Sequence, residues 1–171
     1  MSQKKLLFTP GPLTTSETVK QSMLRDLGSR DEEFISLVSH IRRHLLELGH
    51  VADGSWEAVL MQGSGTFAVE AVLSTVIPRS GKLLVAINGA YGHRMAKIAK
   101  VLGIACETIV FDEATPVLTS RVREALVDDP AITHLGTIHC ETSTGILNPV
   151  AELGRAVCDL GRTFKIGRAH V

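Results

Sequence analysis

From Ala58 onward the chain alternates short apolar runs with segments whose apolar residues recur at helical spacing, and this alternation limits the fold more than any other feature. Ala58–Met61, Lys82–Ile87, Thr108–Phe111 and Thr133–Ile138 read as strands. Phe67–Val76 and Tyr91–Leu102 read as helices, the first ending before Pro78 and the second closed by Gly103. Thr119 caps a third that runs to about Val127, with Arg121 and Glu124 outward. Asn148, with Pro149 at the first helical position, opens a fourth that reaches Leu160. Strands joined by helices of this length are crossover units, so the expected fold class is α/β, a mostly parallel sheet with helices on its faces. In such sheets ligands gather at the loops after the carboxyl ends of the strands, here Gln62–Thr66, Asn88–Arg94 and His139–Asn148.

Ahead of the alternation, Thr9-Pro10-Gly11-Pro12 reads as an extended, turn-rich arm, because proline fixes its own backbone and biases its predecessor away from the helix. Ser29 followed by Glu32 fits a capping box. Glu33–Leu48 then carries Phe34, Leu37, Val38, Ile41, Leu45 and Leu48 at helical spacing, with Gly49 as a stop.

Composition narrows the function. Lys plus Arg and Asp plus Glu each number 18, so no basic field draws the chain to nucleic acid or anionic lipid, and a small-molecule partner is expected. Cys106, Cys140 and Cys158 lack CxxC pairing and are expected to be buried, reduced thiols. His134 and His139 are an odd number of positions apart on one expected strand and should face opposite ways, so no shared metal ion is expected. The stretch Leu6-Leu7-Phe8 before Thr9-Pro10 is too short for a signal-peptide core and no later apolar run has membrane length, which leads us to expect a cytoplasmic protein.

Three loops could carry chemistry. Gln62-Gly63-Ser64-Gly65-Thr66 stands between a strand and a helix, where glycines allow close backbone approach and amides at a helix start face an anion. It reads either as a phosphate cradle, with Ser64 and Thr66 adding hydroxyl donors, or as a tight turn capped by Ser64. A dinucleotide reading of Gly63-x-Gly65-x-x-Ala68 fails because no Asp or Glu stands between Val76 and Glu107 to bind a ribose. Asn88-Gly89-Ala90-Tyr91-Gly92-His93-Arg94 presents a lone tyrosine that is either a lid on a flat heterocycle or a core aromatic. Arg94 and His93 enter the following helix and are either solvated or ion-paired, or hold that loop. His139-Cys140-Glu141-Thr142-Ser143-Thr144-Gly145 gathers hydroxyls beside an acid, with Thr142 or Ser143 bonding a ligand's phenolic oxygen or capping the loop.

Taken in order, Leu7-Phe8-Thr9-Pro10-Gly11-Pro12, Gly63-Ser64-Gly65-Thr66, Asn88 to Arg94 and Glu141-Thr142-Ser143-Thr144-Gly145 resemble the class V aminotransferases, most nearly the branch acting on 2-aminoethylphosphonate and pyruvate. Leu24 to Phe34 and Gly161-Arg162-Thr163-Phe164 strengthen the likeness, which covers roughly the first half of a family member. The resemblance implies a homodimeric fold type I enzyme with pyridoxal 5'-phosphate on Ser64, Gly65 and Thr66, Tyr91 stacked on the ring, and Thr142 near the phenolic oxygen. The implied reaction moves an amino group to pyruvate, giving phosphonoacetaldehyde and alanine. Alanine–glyoxylate transamination and a nicotinamide-dependent oxidoreductase are the alternatives. The family's Schiff-base lysine and pyridinium-pairing aspartate would follow Phe164, so the chain is expected to be an inactive N-terminal fragment with no catalytic residue of its own.

The expected organisation is an arm and helix over 1–49, part of the cofactor-binding large domain over 50–164, and a non-native tail over 165–171. The codons AAG ATC GGA AGA GCA CAC GTC would encode Lys165 to Val171, and most of that string looks like a sequencing-library adapter, so the last strand is expected to break at Lys165.

Overall fold

A computed structural model describes residues 6–9, 11 and 13–167, so Pro10 and Pro12 of the expected arm and residues 168–171 of the expected tail lie outside the described residues. Contacts divide the chain between Gln62 and Gly63 into two units, each taken by itself below.

The first unit holds α1 (Glu17–Ser22) and α2 (Glu32–Leu48). The periodicity does not announce α1, which is a short helix capped by Ser16, whose Oγ accepts from Val19 N at 3.3 Å. The expected capping box at α2 is not formed. Asp31 is the N-cap residue, and its carboxylate turns back to accept from Gly28 N at 2.7 Å, which takes it away from the helix amides. Arg25 and Glu33 make a bidentate pair at 2.5 and 2.7 Å beside this start. Leu37, Ile41, Leu45 and Leu48 form the expected stripe, and all four are exposed. Ala58–Met61 is not a strand, because an extended run needs a neighbour for its N–H and C=O groups. No ladder partner stands beside it among the described residues; Val59, Leu60 and Met61 are exposed, and Arg42 Nε donates to Ala58 O at 2.9 Å.

The second unit runs α3 (Gly65–Val76), β1 (Lys82–Ile87), α4 (Ala90–Val101), β2 (Ala105–Val110), α5 (Thr119–Asp128), β3 (Ile132–Ile138), β4 (Cys140–Glu141), β5 (Ile146–Leu147), α6 (Val150–Asp159) and β6 (Thr163–Gly167). Four strands lie in the order β2-β1-β3-β6, every pair parallel, as the crossover argument requires. Side chains of β1 alternate across the sheet. Leu83, Val85 and Ile87 pack with Leu73 and Ile77 from around α3 and Met95 and Ala99 of α4. Leu84 and Ala86 pack on the other face with Val122 and Leu126 of α5 and Leu153 and Val157 of α6. Both faces being covered, β1 from Leu83 to Ile87 is wholly buried, which is why it reads as an unbroken apolar run.

Several local expectations change. Thr119 lies inside α5, whose N-cap is Leu118, and Arg121 and Glu124 do face outward. His134 lies in β3 but His139 falls just beyond its end. Cys106 and Cys140 are only half-buried and Cys158 is exposed. The last strand does not break at Lys165, since Thr163–Gly167 pairs in register with His134–Ile138. A parallel ladder is made of main-chain bonds and tolerates the change of side chain. Among the described residues no helix is long and apolar enough to cross a membrane.

Candidate functional site

The sheet order places β2 and β3 on opposite sides of β1, while α4 lies on one face and α5 on the other. The crevice between the ends of β1 and β3 is therefore a topological switch point, where outgoing loops part and leave room for a ligand. The loops after β1 and β3 are those that carry Tyr91 and Thr142.

Beside this crevice lies the start of α3. Ser64 is its N-cap residue in extended backbone, and its Oγ accepts from Phe67 N at 3.2 Å, so the capping reading of the loop is realised. That bond uses one lone pair and leaves the hydroxyl proton for a further acceptor. Gly63, at φ +146°, cannot be replaced without strain, and a Cβ there would stand 2.7 Å from Phe67 Cδ1. Gly65 and Thr66 occupy the first turn, where backbone amides and the helix dipole favour an anion.

Arg94 joins this helix start to Tyr91. Its Nη1 donates to Thr66 Oγ1 at 3.1 Å, and its guanidinium carbon lies 5.0 Å from the centroid of the Tyr91 ring. Gly65, Thr66, Tyr91 and Arg94 line one small cavity floored by Val69, Met95 and Ile138. Arg94 thus takes the loop-holding part of the two readings given above.

The third loop is a hairpin, β4 pairing antiparallel with β5 through Cys140–Leu147 and Glu141–Ile146. Gly145, at φ +78°, closes it, with Gly145 N and Thr144 N both donating to Glu141 O at 2.7 and 3.2 Å. Thr142 is half-buried at its turn. Ser143 Oγ is engaged, donating to Glu141 Oε1 at 2.8 Å. Glu141 itself is fully buried, and its Oε2 accepts from Tyr91 N at 3.1 Å. An unbroken run of contacts therefore leads from Thr66 through Arg94, Tyr91 and Glu141 to the residue next to Thr142. The predicted residues Ser64, Gly65, Thr66, Tyr91 and Thr142 all fall at this end of the sheet.

Sequence reasoning missed two features. The first is Glu141, read only as an acid near hydroxyls. The second is a reciprocal amide pair: Asn88 Nδ2 donates to Asn148 Oδ1 and Asn148 Nδ2 to Asn88 Oδ1, both at 3.0 Å. Asn148 also accepts from Val117 N at 2.9 Å and donates to Ile138 O at 2.8 Å, and Asn88 donates to Thr115 O at 3.0 Å. Asn148 was expected to start α6, but it ties three strand-end loops together instead. The available signal was an asparagine directly after the apolar run Leu83–Ile87, where a polar side chain enters the core only with its partners.

No family model matches the chain. It is 52% identical over 159 residues to a 2-aminoethylphosphonate–pyruvate transaminase of Syntrophobacter fumaroxidans, a match covering 93% of this chain and 43% of the relative. The chain thus spans less than half the length of the curated relatives it matches. Among solved structures, an alanine–glyoxylate aminotransferase from Nostoc sp. superposes with a TM-score of 0.85 at 26% identity, covering 97% of this chain and 44% of that one. A pyridoxamine–pyruvate aminotransferase from Mesorhizobium loti shares the fold at a TM-score of 0.86 and 21% identity, over 96% and 42% of the two chains. The chain matches 2-aminoethylphosphonate–pyruvate transaminases over nearly all of its own length and shares the fold of the class V aminotransferases, pyridoxal-phosphate enzymes of fold type I; covering less than half of each relative, it fits an N-terminal fragment of such an enzyme.

Proposed function

We propose that this chain forms part of the cofactor site of an enzyme that moves the amino group of 2-aminoethylphosphonate to pyruvate, giving phosphonoacetaldehyde and alanine. What supports the reading is that a helix start suited to an anion, the Tyr91 ring and the Thr142 turn lie at one end of the sheet, linked through Arg94 and Glu141. The residues present fit pyridoxal 5'-phosphate. The first turn of α3 with the hydroxyls of Ser64 and Thr66 suits a phosphate monoester, and Gly63 and Gly65 let backbone approach it. The Arg94 guanidinium, held by Thr66, adds a positive charge beside that turn. Tyr91 offers a flat face at low ordering cost, and the Thr142 hydroxyl suits a phenolic oxygen. When bound, the cofactor supplies an electron sink and a carrier for the amino group.

In this reading the chain's own residues bind and orient. No residue of this chain is assigned as the lysine that carries the cofactor or as the acid that pairs with its ring nitrogen. A homodimeric, cytoplasmic enzyme is the setting implied.

The sequence contains one tyrosine and one tryptophan, and Trp56 is 60% exposed, so a Trp56→Phe chain makes Tyr91 the sole strong emitter. Titration with pyridoxal 5'-phosphate should quench that emission with an affinity at least ~10-fold above that for pyridoxal, about 1.4 kcal/mol for the phosphate. Equal affinities, or no quenching, would overturn the cofactor assignment. Resequencing beyond Phe164 and assaying the extended enzyme for alanine formation tests the substrate, and faster turnover of alanine with glyoxylate would hand the function to the alternative.

A further inference from the structure

Helix α4 begins without a cap of its own. Its N-cap residue is Gly89, which has no side chain to offer the first-turn amides, and Tyr91 lies in that first turn. The missing acceptor comes from across the sheet end. Glu141, in β4 and separated from Tyr91 by 50 positions, accepts from Tyr91 N through Oε2 at 3.1 Å. Its other oxygen accepts from Ser143 Oγ at 2.8 Å. The side chain is fully buried, yet each carboxylate oxygen has a protein donor, and an anion at a helix N-terminus is favoured by the dipole. Gly89 and Glu141 are matched in shape as well, because a Cβ on Gly89 would overlap the Glu141 side chain and come within 2.5 Å of its Cδ. Gly89 adopts extended backbone that any residue tolerates, so the demand for glycine here is one of space.

From this geometry we infer that Glu141 is the positioning residue of the site: it caps α4 in trans and so holds Tyr91 at a set place relative to the Thr142 turn. The inference rests on the cofactor reading above for its functional meaning, but not for its structural part. Glu141 acts through Tyr91 and its own hairpin and touches no reacting atom. Two further contacts complete the device. Glu141 O collects the amides of Thr144 and Gly145, which fixes the turn carrying Thr142, while Arg94 holds the Tyr91 ring from the side of Thr66. The same acid thereby sets the backbone of the aromatic residue and the backbone of the hydroxyl residue.

The test uses the full chain with Trp56→Phe and three variants. Glu141→Gln keeps the shape and an acceptor for Tyr91 N, Glu141→Ala removes both, and Gly89→Ala displaces the acid without changing it. Two readouts are taken, amide hydrogen exchange at Tyr91 and at the β1 and β3 amides, and quenching of Tyr91 emission by pyridoxal 5'-phosphate. In Glu141→Ala and Gly89→Ala, Tyr91 exchange should rise at least ~10-fold and cofactor affinity should fall at least ~10-fold, while strand amides keep their protection. Glu141→Gln should stay within about threefold of the parent in both. Unchanged exchange at Tyr91 in Glu141→Ala, or equal loss at the strand amides, would overturn the positioning role. A parent chain that does not bind the cofactor would refute the cofactor reading alone, and Tyr91 exchange would still decide the place of Glu141.

Discussion

Replacing Asn148 by alanine is expected to be the most damaging single polar change in the second unit. Its side chain is 3% exposed and makes all four hydrogen bonds an amide can make, two donated and two accepted. Alanine leaves Val117 N–H without its acceptor and the Asn88 amide without its reciprocal partner, and it takes a donor from Ile138 C=O. Each buried group left unsatisfied costs roughly 1–3 kcal/mol, and water reaching the gap recovers part of that, so the net loss should be about 3–5 kcal/mol. That is a large share of the roughly 5–15 kcal/mol that holds a typical domain together. Urea unfolding followed by far-ultraviolet circular dichroism should show an earlier midpoint at unchanged slope. The double variant with Asn88→Ala should be less destabilised than the sum of the single ones by about 1–2 kcal/mol, since both remove the same pair. A loss for Asn148→Ala under about 1 kcal/mol, or strict additivity with Asn88→Ala, would refute the claim that this pair braces the strand ends.

Three further outcomes follow from other parts of the structure. Gly63→Ala meets both a left-handed backbone and the Phe67 ring, so thermal unfolding should show a destabilisation of roughly 1–3 kcal/mol and titration a weakened hold on pyridoxal 5'-phosphate. Ser64→Ala removes the acceptor of Phe67 N and should cost about 1 kcal/mol in urea unfolding, with a loss of phosphate affinity that Ser64→Thr restores. At the opposite end of the sheet Lys82 bonds Asp129 at 2.5 Å and Glu107 at 2.6 Å, and the bond to Lys82 holds the Asp129 carboxyl below its ordinary value of 3.8 while the bonds to Asp129 and then Glu107 hold the Lys82 amine above its ordinary 10.5. The contribution of Asp129 is present above its ordinary value and lost as pH falls through its lowered one. That of Lys82 is present below its ordinary value and lost as pH rises through its raised one. Denaturation midpoints against pH should fall at both extremes, and Asp129→Asn should flatten the acid limb; an acid limb identical to the parent's would show the pair to be inert.

What the sequence determined by itself is the part of the molecule encoded over neighbouring residues. Apolar runs of strand length and apolar residues at helical spacing place β1, β3, α3, α4 and α6 close to where they stand, because each period records which faces are buried. The same patterns name the loops after β1 and β3, and the helix start at Ser64 to Thr66 is legible because caps and glycines act within a few residues. Ala58–Met61 shows the limit: a run suited to a strand becomes one only beside a partner, and pairing is not written into the run. The tertiary structure alone decided which loops meet. Thr66 and Arg94 are 28 positions apart, Tyr91 and Glu141 are 50, and Asn88 and Asn148 are 60. No local pattern fixes such contacts, because they exist only once the parallel ladder has brought β1 and β3 side by side and the packed core has excluded the water that would otherwise satisfy the same polar groups.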